Sequence, residues 1–229
     1  MTKRAAFLFM LALATSAVAQ HVRVMLQVIE VPHAELTKWT TADKAGGQEL
    51  HERAMTLVSS GGAEIVETSV VICRSGERAF VESIAEMIYP TEYEPSSMGG
   101  SMVPLDSKLV IPVPLRPTDC VSFETRNAGT TLEIEPTIGG GGKIVDLRLA
   151  FESVSRESLV TWTEFRDQWG DASIKRPIFE TKRLSSALTL LAGKFELFNI
   201  FTPKPAAVPA ATTRQLVFVK ADVLPHPNE

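Results

Sequence analysis

Two runs of alternating apolar and polar residues flank the four consecutive glycines at 139–142. Leu132 and Ile134 alternate with polar neighbours before the glycines, and Val145 and Leu147 do so after them. A period of two predicts strands with one buried face. The glycines lie between these strands and are not followed by the Gly-Lys-Ser/Thr of a phosphate-binding loop, so they indicate a turn. This hairpin is the strongest in the sequence and predicts an antiparallel strand pair.

The rest of the chain also favours strands over helices. The first strand is predicted at 22–31, where Val22, Val24, Leu26 and Val28 share one face, and Pro32 ends it. A second hairpin is predicted from residues 63–73 and 77–89, with Gly76 in its turn. Further strands are expected near these residues: 158–165, 177–191, 194–201 and 214–223. The predicted fold class is mainly β (α+β), with antiparallel sheets and hairpins.

One or two helices are expected before the second strand, packed on the sheets. Residues 34–41 have a weak helical pattern, whereas in 48–60 the apolar residues Leu50, Ala54, Leu57 and Val58 form one stripe. The glycines at 61–62 follow, as at a helix end. His51 is expected to lie on the solvated face of this helix, not to act as a ligand.

The first nineteen residues have the pattern of a secretory signal peptide. Lys3 and Arg4 precede an apolar run at 5–14, and small residues lead to a predicted cut after Ala19. The alternative is a retained anchor, but a membrane span needs roughly 18 or more apolar residues. We therefore expect an exported protein, in the periplasm or outer membrane of a Gram-negative-type bacterium.

The net charge bears on the binding partners of the chain, and the two cysteines bear on a possible disulfide. The net charge is −4 and is more negative without Lys3 and Arg4, which argues against nucleic acid as a partner because such binding needs clustered basic residues. Cys73 and Cys120 could form a disulfide in an oxidising compartment. Free thiols are favoured over a bridge, since the two cysteines lie in different predicted strands and a bridge needs Cα atoms within about 7 Å.

Catalytic and metal-binding motifs are missing from the sequence. There is no His-Glu-x-x-His and no Gly-x-Ser-x-Gly. Trp162, Glu164, Arg166 and Trp169 could form a sugar platform with an acid, but a strand with an exposed end is favoured. We predict no enzyme activity, no cofactor, no metal and no small-molecule substrate.

The run IYPTEYEP (88–95) contains both tyrosines of the chain and opens a proline-rich segment, 90–119. Pro90 is predicted to end the strand, because proline cannot donate to a ladder. Tyr89, Pro90 and Tyr93 are candidates for a membrane-side or lumen-side segment, where aromatic rings sit half in water. The alternative for the tyrosines is that they cap an edge of the core.

Four stretches occur in a family-specific order: GERAFVESIAEMIYPTEYEP (76–95), FETRNAGTTLEIEPTI (123–138), RPIFETKRLSSALTLLAGKFEL (176–197) and RQLVFVKADVL (214–224). Together they resemble the C-terminal secretin domain of type II and type III secretion system proteins. The resemblance covers about 22–224, and Gly129, Pro136 and Gly193 occupy motif positions. It implies a strand ending at Tyr-Pro, a Gly-Thr-Thr hairpin, a strand pair and a final strand.

The resemblance also implies a function. Secretin subunits form a ring whose strands close a large β-barrel in the outer membrane, through which proteins or pili pass. The implied partners are copies of the same chain or other secretion-system subunits. The alternative is a stand-alone periplasmic β-domain with a structural or binding role and no pore. The expected organisation is a signal peptide (1–19), an N-terminal strand and helical element (20–62), a secretin-like domain (63–224) with its insertion (90–119), and a tail (225–229).

Overall fold

The computed structural model describes residues 20–42, 46–94, 119–164, 166–167, 170–171, 173–203 and 212–225. The predicted signal peptide and most of the proline-rich segment lie outside these residues. The elements, in chain order, are β1 His21–Pro32, α1 His33–Ala42, α2 Gly47–Ser59, β2 Glu64–Arg74, β3 Ala79–Glu94, β4 Asp119–Gly139, the 3₁₀ turn Gly140–Gly142, β5 Ile144–Thr163, β6 Arg166–Asp167, β7 Gly170–Asp171, β8 Ile174–Leu191, β9 Phe195–Phe201 and β10 Thr213–Leu224.

The described strands form two four-stranded antiparallel sheets and a two-residue ladder between β6 and β7. Sheet A has the order β2-β1-β10-β9, and sheet B has the order β3-β4-β5-β8. The predicted fold class, mainly β with short helices, is confirmed. The β4–β5 hairpin is also confirmed, with Leu132 opposite Phe151 and the glycines in the turn.

The main core lies between the two sheets. Sheet A contributes the predicted face of β1, in which Val22, Val24 and Leu26 are fully buried. Sheet B contributes Leu132 and Ile134 from β4, which pack with the alternate apolar residues of β5. The alternation in the sequence therefore placed the correct residues inside, because side chains on a strand alternate between its two faces.

A second core lies between the helices and the outer face of sheet A. The ladder between β1 and β2 shifts register after Val28, and Ile29 and Val31 then face the helices, where Leu50 and Ala54 of α2 cover them. His51 is only 8% exposed, so the prediction of a solvated histidine is wrong. Its ring stacks on Phe195 at 3.6 Å between centroids.

The predicted hairpin of residues 63–73 and 77–89 is not formed. β2 pairs with β1 in sheet A, whereas β3 pairs with β4 in sheet B. The connection is held by both sheets: Ser75 N–H donates to the carbonyl of Gln20 at 3.0 Å, and Gly76 N–H donates to that of Pro136 at 2.7 Å. The turn therefore passes the chain from one sheet to the other.

Pro90 does not end β3, contrary to the prediction. The strand continues to Glu94, with register shifts on both sides of Glu92. Proline is tolerated on an edge strand and next to a bulge, and β3 is an outer strand of sheet B among the described strands. The predicted insertion therefore begins later in the chain than Pro90.

Candidate functional site

Sheet B continues beyond the core as two separate hairpins. The β4–β5 ladder runs from Gly139 opposite Ile144 to Gly129 opposite Val154 and stops there. Beyond this point β4 pairs with β3, and β5 pairs with β8. We call these two extensions, 83–94 with 119–130 and 154–163 with 174–181, the distal hairpins. The part of β4 from 119 to 129 corresponds to about 35 Å of extended strand.

Gly129 stands at the point where the hairpins separate. Its φ is +136°, and a Cβ atom there would lie 2.1 Å from the carbonyl oxygen of Ser83 and 2.8 Å from the Cα of Ile84. Both atoms belong to the backbone of β3, so no side-chain rotation could relieve the overlap. Only glycine combines this dihedral angle with this close approach of two strands.

Pro136 and Gly193, the other two motif positions, also have local structural roles. The carbonyl of Pro136 accepts a hydrogen bond from Gly76, and its nitrogen points to the same side of the strand. The β3–β4 ladder starts only at Ala79 opposite Ile134, so the missing proline N–H costs no ladder bond. Gly193 turns the chain from β8 into β9 with φ +82°, and its N–H donates to the Ala221 carbonyl at 2.8 Å.

Large apolar side chains are exposed on all four strands of the distal hairpins. Ile88 on β3 is 70% exposed and Trp162 on β5 is 69% exposed. The others are Ile84, Val121, Phe123, Leu159, Val160 and Ile178. A concentration of exposed apolar side chains marks a surface that meets protein or lipid.

Both predicted tyrosines lie on this extension. The hydroxyl of Tyr89 donates to Glu124 at 3.1 Å, and this bond, with a small contribution from burial, raises the pKa of Tyr89. Tyr93 donates to the carbonyl of Lys175 at 3.5 Å. Neither tyrosine is among the residues of the two cores. The assignment of Tyr89, Pro90 and Tyr93 to a membrane-side or lumen-side segment stays a prediction.

Contacts join the two distal hairpins across the gap between them. The guanidinium of Arg176 on β8 donates to the carbonyl of Thr91 on β3 at 2.7 Å. The ring centroid of Tyr89 lies 5.6 Å from that of Phe179. Arg126 on β4 donates to the hydroxyl of Thr181 on β8 at 2.8 Å. Sequence analysis missed these contacts, because strand periodicity carries no information on which distant side chains meet.

The titratable groups of the described residues do not converge on a cleft. The pKa of His51 is lowered, mainly by burial and also by the charge of Lys220, while Glu52 opposes the shift. The pKa of Arg183 is raised by its exposed pair with Glu152. Among the described residues, no group of three His, Cys, Asp or Glu side chains could hold a metal ion.

Cys73 carries a free thiol. Burial, with a contribution from the charge of Glu77, raises its pKa and so keeps the thiol protonated. Cys120 lies on β4 with its backbone opposite Tyr93, in the other sheet from Cys73. The free thiol of Cys73 therefore agrees with the favoured alternative, in which no bridge forms. Of the candidate sugar platform, Trp162 and Glu164 are exposed at the end of β5, and the side chains of Arg166 and Trp169 are not described.

None of the described helices is long and apolar enough to cross a membrane. No family model matches the sequence, and no curated protein matches it. Several solved secretin structures are similar to this chain. The secretin domain of InvG from the Salmonella SPI-1 injectisome is 11% identical, with a TM-score of 0.49 over 92% of this chain and 64% of that one.

Two further secretins are similar at the same level of identity. PilQ of the V. cholerae type IV competence pilus is 11% identical, with a TM-score of 0.45 over 91% of this chain and 62% of that one. GspD of the E. coli K12 type II secretion system is 11% identical, with a TM-score of 0.42 over 92% of this chain and 51% of that one. The chain thus spans less than two thirds of each, and similarity of this degree does not assign a function.

Proposed function

We propose that this chain is a non-enzymatic, secretin-like subunit or accessory component of an outer-membrane assembly for protein secretion or pilus export. Copies of the chain would pair edge to edge, with β3 of one copy beside β8 of the next. The observation that carries the proposal is the shape of sheet B. Its long outer strands extend beyond the core, and the extension exposes apolar side chains.

The outer strands of sheet B are long enough to template another chain. β3 has 16 residues and β8 has 18, compared with about 5–6 for an average strand. Within the described part of the chain, neither is paired on its second side by a ladder. Soluble proteins usually keep such edges short or covered, because unpaired backbone groups recruit further strands. Long edges on both sides of one sheet suit a closed ring of identical subunits.

The composition of the distal hairpins supports contact with lipid or with neighbouring copies. Ile88, Phe123, Leu159 and Trp162 are each more than half exposed. On the β3–β4 hairpin, Ile88 and Phe123 lie on one face, whereas Glu124 and Arg126 lie on the other. A strand that separates a lipid-facing side from an aqueous lumen carries both kinds of residue. On this basis Tyr89, Pro90 and Tyr93 would lie at the membrane or lumen end of the subunit.

The motif residues add independent support. Gly129, Pro136 and Gly193 occupy the motif positions of the secretin domain. Gly129 allows the backbones of β3 and β4 to approach closely, Pro136 lies where β4 has no ladder bond to β3, and Gly193 forms the turn between β8 and β9. The partners would be copies of the chain or other secretion-system subunits. The place would be the outer membrane or periplasm.

The second candidate is a stand-alone periplasmic β-domain with a structural or binding role and no pore. One observation favours it: β3 and β8 touch each other within the chain, through Arg176 and Thr91. A chain whose two edges meet internally has less need of a neighbour.

Envelope fractionation followed by size exclusion with light scattering distinguishes the two candidates. The full chain is expressed in a Gram-negative host, and the membrane fraction is extracted with mild detergent. A membrane-bound particle of many subunits is the expected result. A soluble species no heavier than the 25.0 kDa of one full-length chain would contradict the ring and favour the stand-alone domain. Phe123→Glu, which places a charge on the exposed apolar surface, should reduce the membrane-bound fraction. Thr56→Glu, on the exposed side of α2, is the matched control and should not.

A further inference from the structure

The outer strands of sheet B touch each other, although two strands separate them in the sheet order. The contact consists of the Arg176 side chain on the carbonyl of Thr91 at 2.7 Å and the Tyr93 hydroxyl on the carbonyl of Lys175 at 3.5 Å. We call these four residues the edge clamp. Arg176 is part-buried in this contact, and its guanidinium carbon lies 5.6 Å from the centroid of the Trp162 ring. Trp162 lies on β5, the neighbouring strand of the same hairpin, and its ring packs against the guanidinium of Arg176.

The path of the strands explains how the two edges can meet. β4 and β5 separate beyond Gly129 and Val154. β5 then shifts register against β8 twice, between Arg156 and Ser158 and between Thr161 and Thr163. Bulges bend a strand and increase its twist. The separated hairpins are thus free to turn, and β3 comes against β8 at their far ends.

We propose that the edge clamp is an autoinhibitory contact that keeps the free subunit closed until it assembles. The inference rests on the proposed function, in which β3 of one copy pairs with β8 of the next. While the clamp is closed, the far ends of both strands face each other within one chain, and a neighbour's strand cannot enter between them. Opening the clamp exposes both edges together, so the subunit gains its two pairing surfaces in one step.

The clamp is small enough to open. It contains one short hydrogen bond from a charged donor and one long bond from a tyrosine. Three contacts lie beside it: the rings of Tyr89 and Phe179, the bond from Arg126 to Thr181, and Arg126 over the Phe179 ring. The β4–β5 ladder, in comparison, covers eleven residue pairs and lies partly in the core. The hairpins can therefore move apart at their tips while the two sheets stay packed.

The test compares assembly rates of the purified full-length chain after dilution from detergent into liposomes. Arg176→Gln removes the charged donor. Lys175→Gln is the matched control, since it removes the same charge one residue away and keeps the main-chain carbonyl that Tyr93 contacts. Loss of a hydrogen bond to a charged group corresponds to a change of about tenfold or more in an equilibrium. We expect Arg176→Gln to form high-mass particles about tenfold or more faster than wild type, and Lys175→Gln to behave as wild type.

A second variant tests the closed state directly and does not depend on the folding of Arg176→Gln. Thr91→Cys and Arg176→Cys are combined in a chain in which Cys73 and Cys120 are serine, and the new thiols are joined by a cleavable bismaleimide. The joined chain should stay monomeric and should assemble once the linker is cleaved. Assembly of the joined chain at the rate of the cleaved one would overturn the clamp.

The outcomes separate this inference from the proposed function. If wild type forms particles and Arg176→Gln forms them no faster, the clamp is refuted and the ring stands. If none of the chains forms particles in liposomes, including Arg176→Gln and the cleaved chain, both the ring and the clamp are refuted. Faster assembly of Arg176→Gln together with blocked assembly of the joined chain supports both.

Discussion

Replacement of Gly129 by alanine tests the structural basis of the separated hairpins. The new Cβ atom would lie 2.1 Å from the Ser83 carbonyl oxygen and 2.8 Å from the Ile84 Cα. Both distances are below any normal contact between such atoms, and both atoms are backbone atoms of the neighbouring strand. The φ of +136° adds strain, because L residues rarely adopt it. The strands β3 and β4 must therefore move apart where they now pair.

The magnitude follows from two contributions. The backbone strain of an alanine at positive φ costs about 1–2 kcal/mol. Separation of the strands near Ser83 weakens two or three ladder hydrogen bonds, each with a net contribution of about 1 kcal/mol. We therefore expect Gly129→Ala to lower the free energy of unfolding by about 3–5 kcal/mol. Such a loss is a large part of the 5–15 kcal/mol typical of a whole domain.

Gly76→Ala is the matched control. Gly76 also has a positive φ, +82°, but no atom lies within 4 Å of the position where its Cβ would be. It should therefore show the backbone strain alone, about 1–2 kcal/mol. Urea unfolding followed by circular dichroism measures both variants, and amide exchange of β3 and β4 shows whether the loss is local. Equal destabilisation by the two substitutions, with no faster exchange near Ser83 in Gly129→Ala, would refute the close-approach argument.

Three further predictions concern the cores and the exposed surface. Burial lowers the pKa of His51, so the folded chain favours the neutral imidazole. The neutral imidazole contributes stability above the ordinary histidine pKa of about 6.5, and this contribution is lost as the pH falls below that value. Urea unfolding between about pH 7 and about pH 5 should therefore show a steeper loss for wild type than for His51→Phe, and parallel curves would contradict the effect. Phe218→Ala removes a fully buried ring and should cost about 3–5 kcal/mol, whereas a loss below about 1 kcal/mol would show that this core repacks. Ile88→Ala should change the free energy of unfolding by less than about 0.5 kcal/mol, because the side chain is 70% exposed; a larger loss would mean that the distal hairpin buries it.

Alternation in the sequence was sufficient to predict the buried faces of β1, β4 and β5, although the separate strand expected near 158–165 is the end of β5. Val22, Val24 and Leu26 are buried as their spacing predicted, and the glycines at 139–142 form the turn between β4 and β5. Each of these is a local property, carried by neighbours in the chain and by a short turn. The stripe of α2 was predicted for the same reason, and Leu50 and Ala54 are indeed buried.

The pairing of β2 and β3 could not be predicted in the same way. Alternation shows which side of a strand is buried, but it does not name the neighbouring strand. The connection around Gly76 has the composition of a hairpin turn, yet its amide bonds to Pro136 in the other sheet. The prediction that Pro90 ends β3 was wrong for a related reason, because a proline ends a central strand but is tolerated in an edge strand. Whether a strand lies at the edge depends on the whole sheet.

The candidate site was predicted only in part, and for physical reasons. Tyr89 and Tyr93 were selected from their sequence context and do lie on the distal hairpins. Arg176 and Phe179 were not selected, because their partners are more than eighty residues away along the chain. The exclusion of His51 from the core failed because its burial depends on Phe195 and Phe218, which reach it from distant strands.

The division of sheet B has a consequence for how the chain can be stable. A two-stranded ribbon without a covered face is marginal in water, and beyond Gly129 each distal hairpin is such a ribbon. The apolar side chains of the distal hairpins are not part of either core, so neither core buries them. The ribbons therefore depend on contacts outside their own ladders, and within the described part of the chain these are the few that join β3 and β4 to β8. A partner that offers a full ladder to each edge would replace a few contacts with many, which gives an assembled state a physical advantage over the closed subunit.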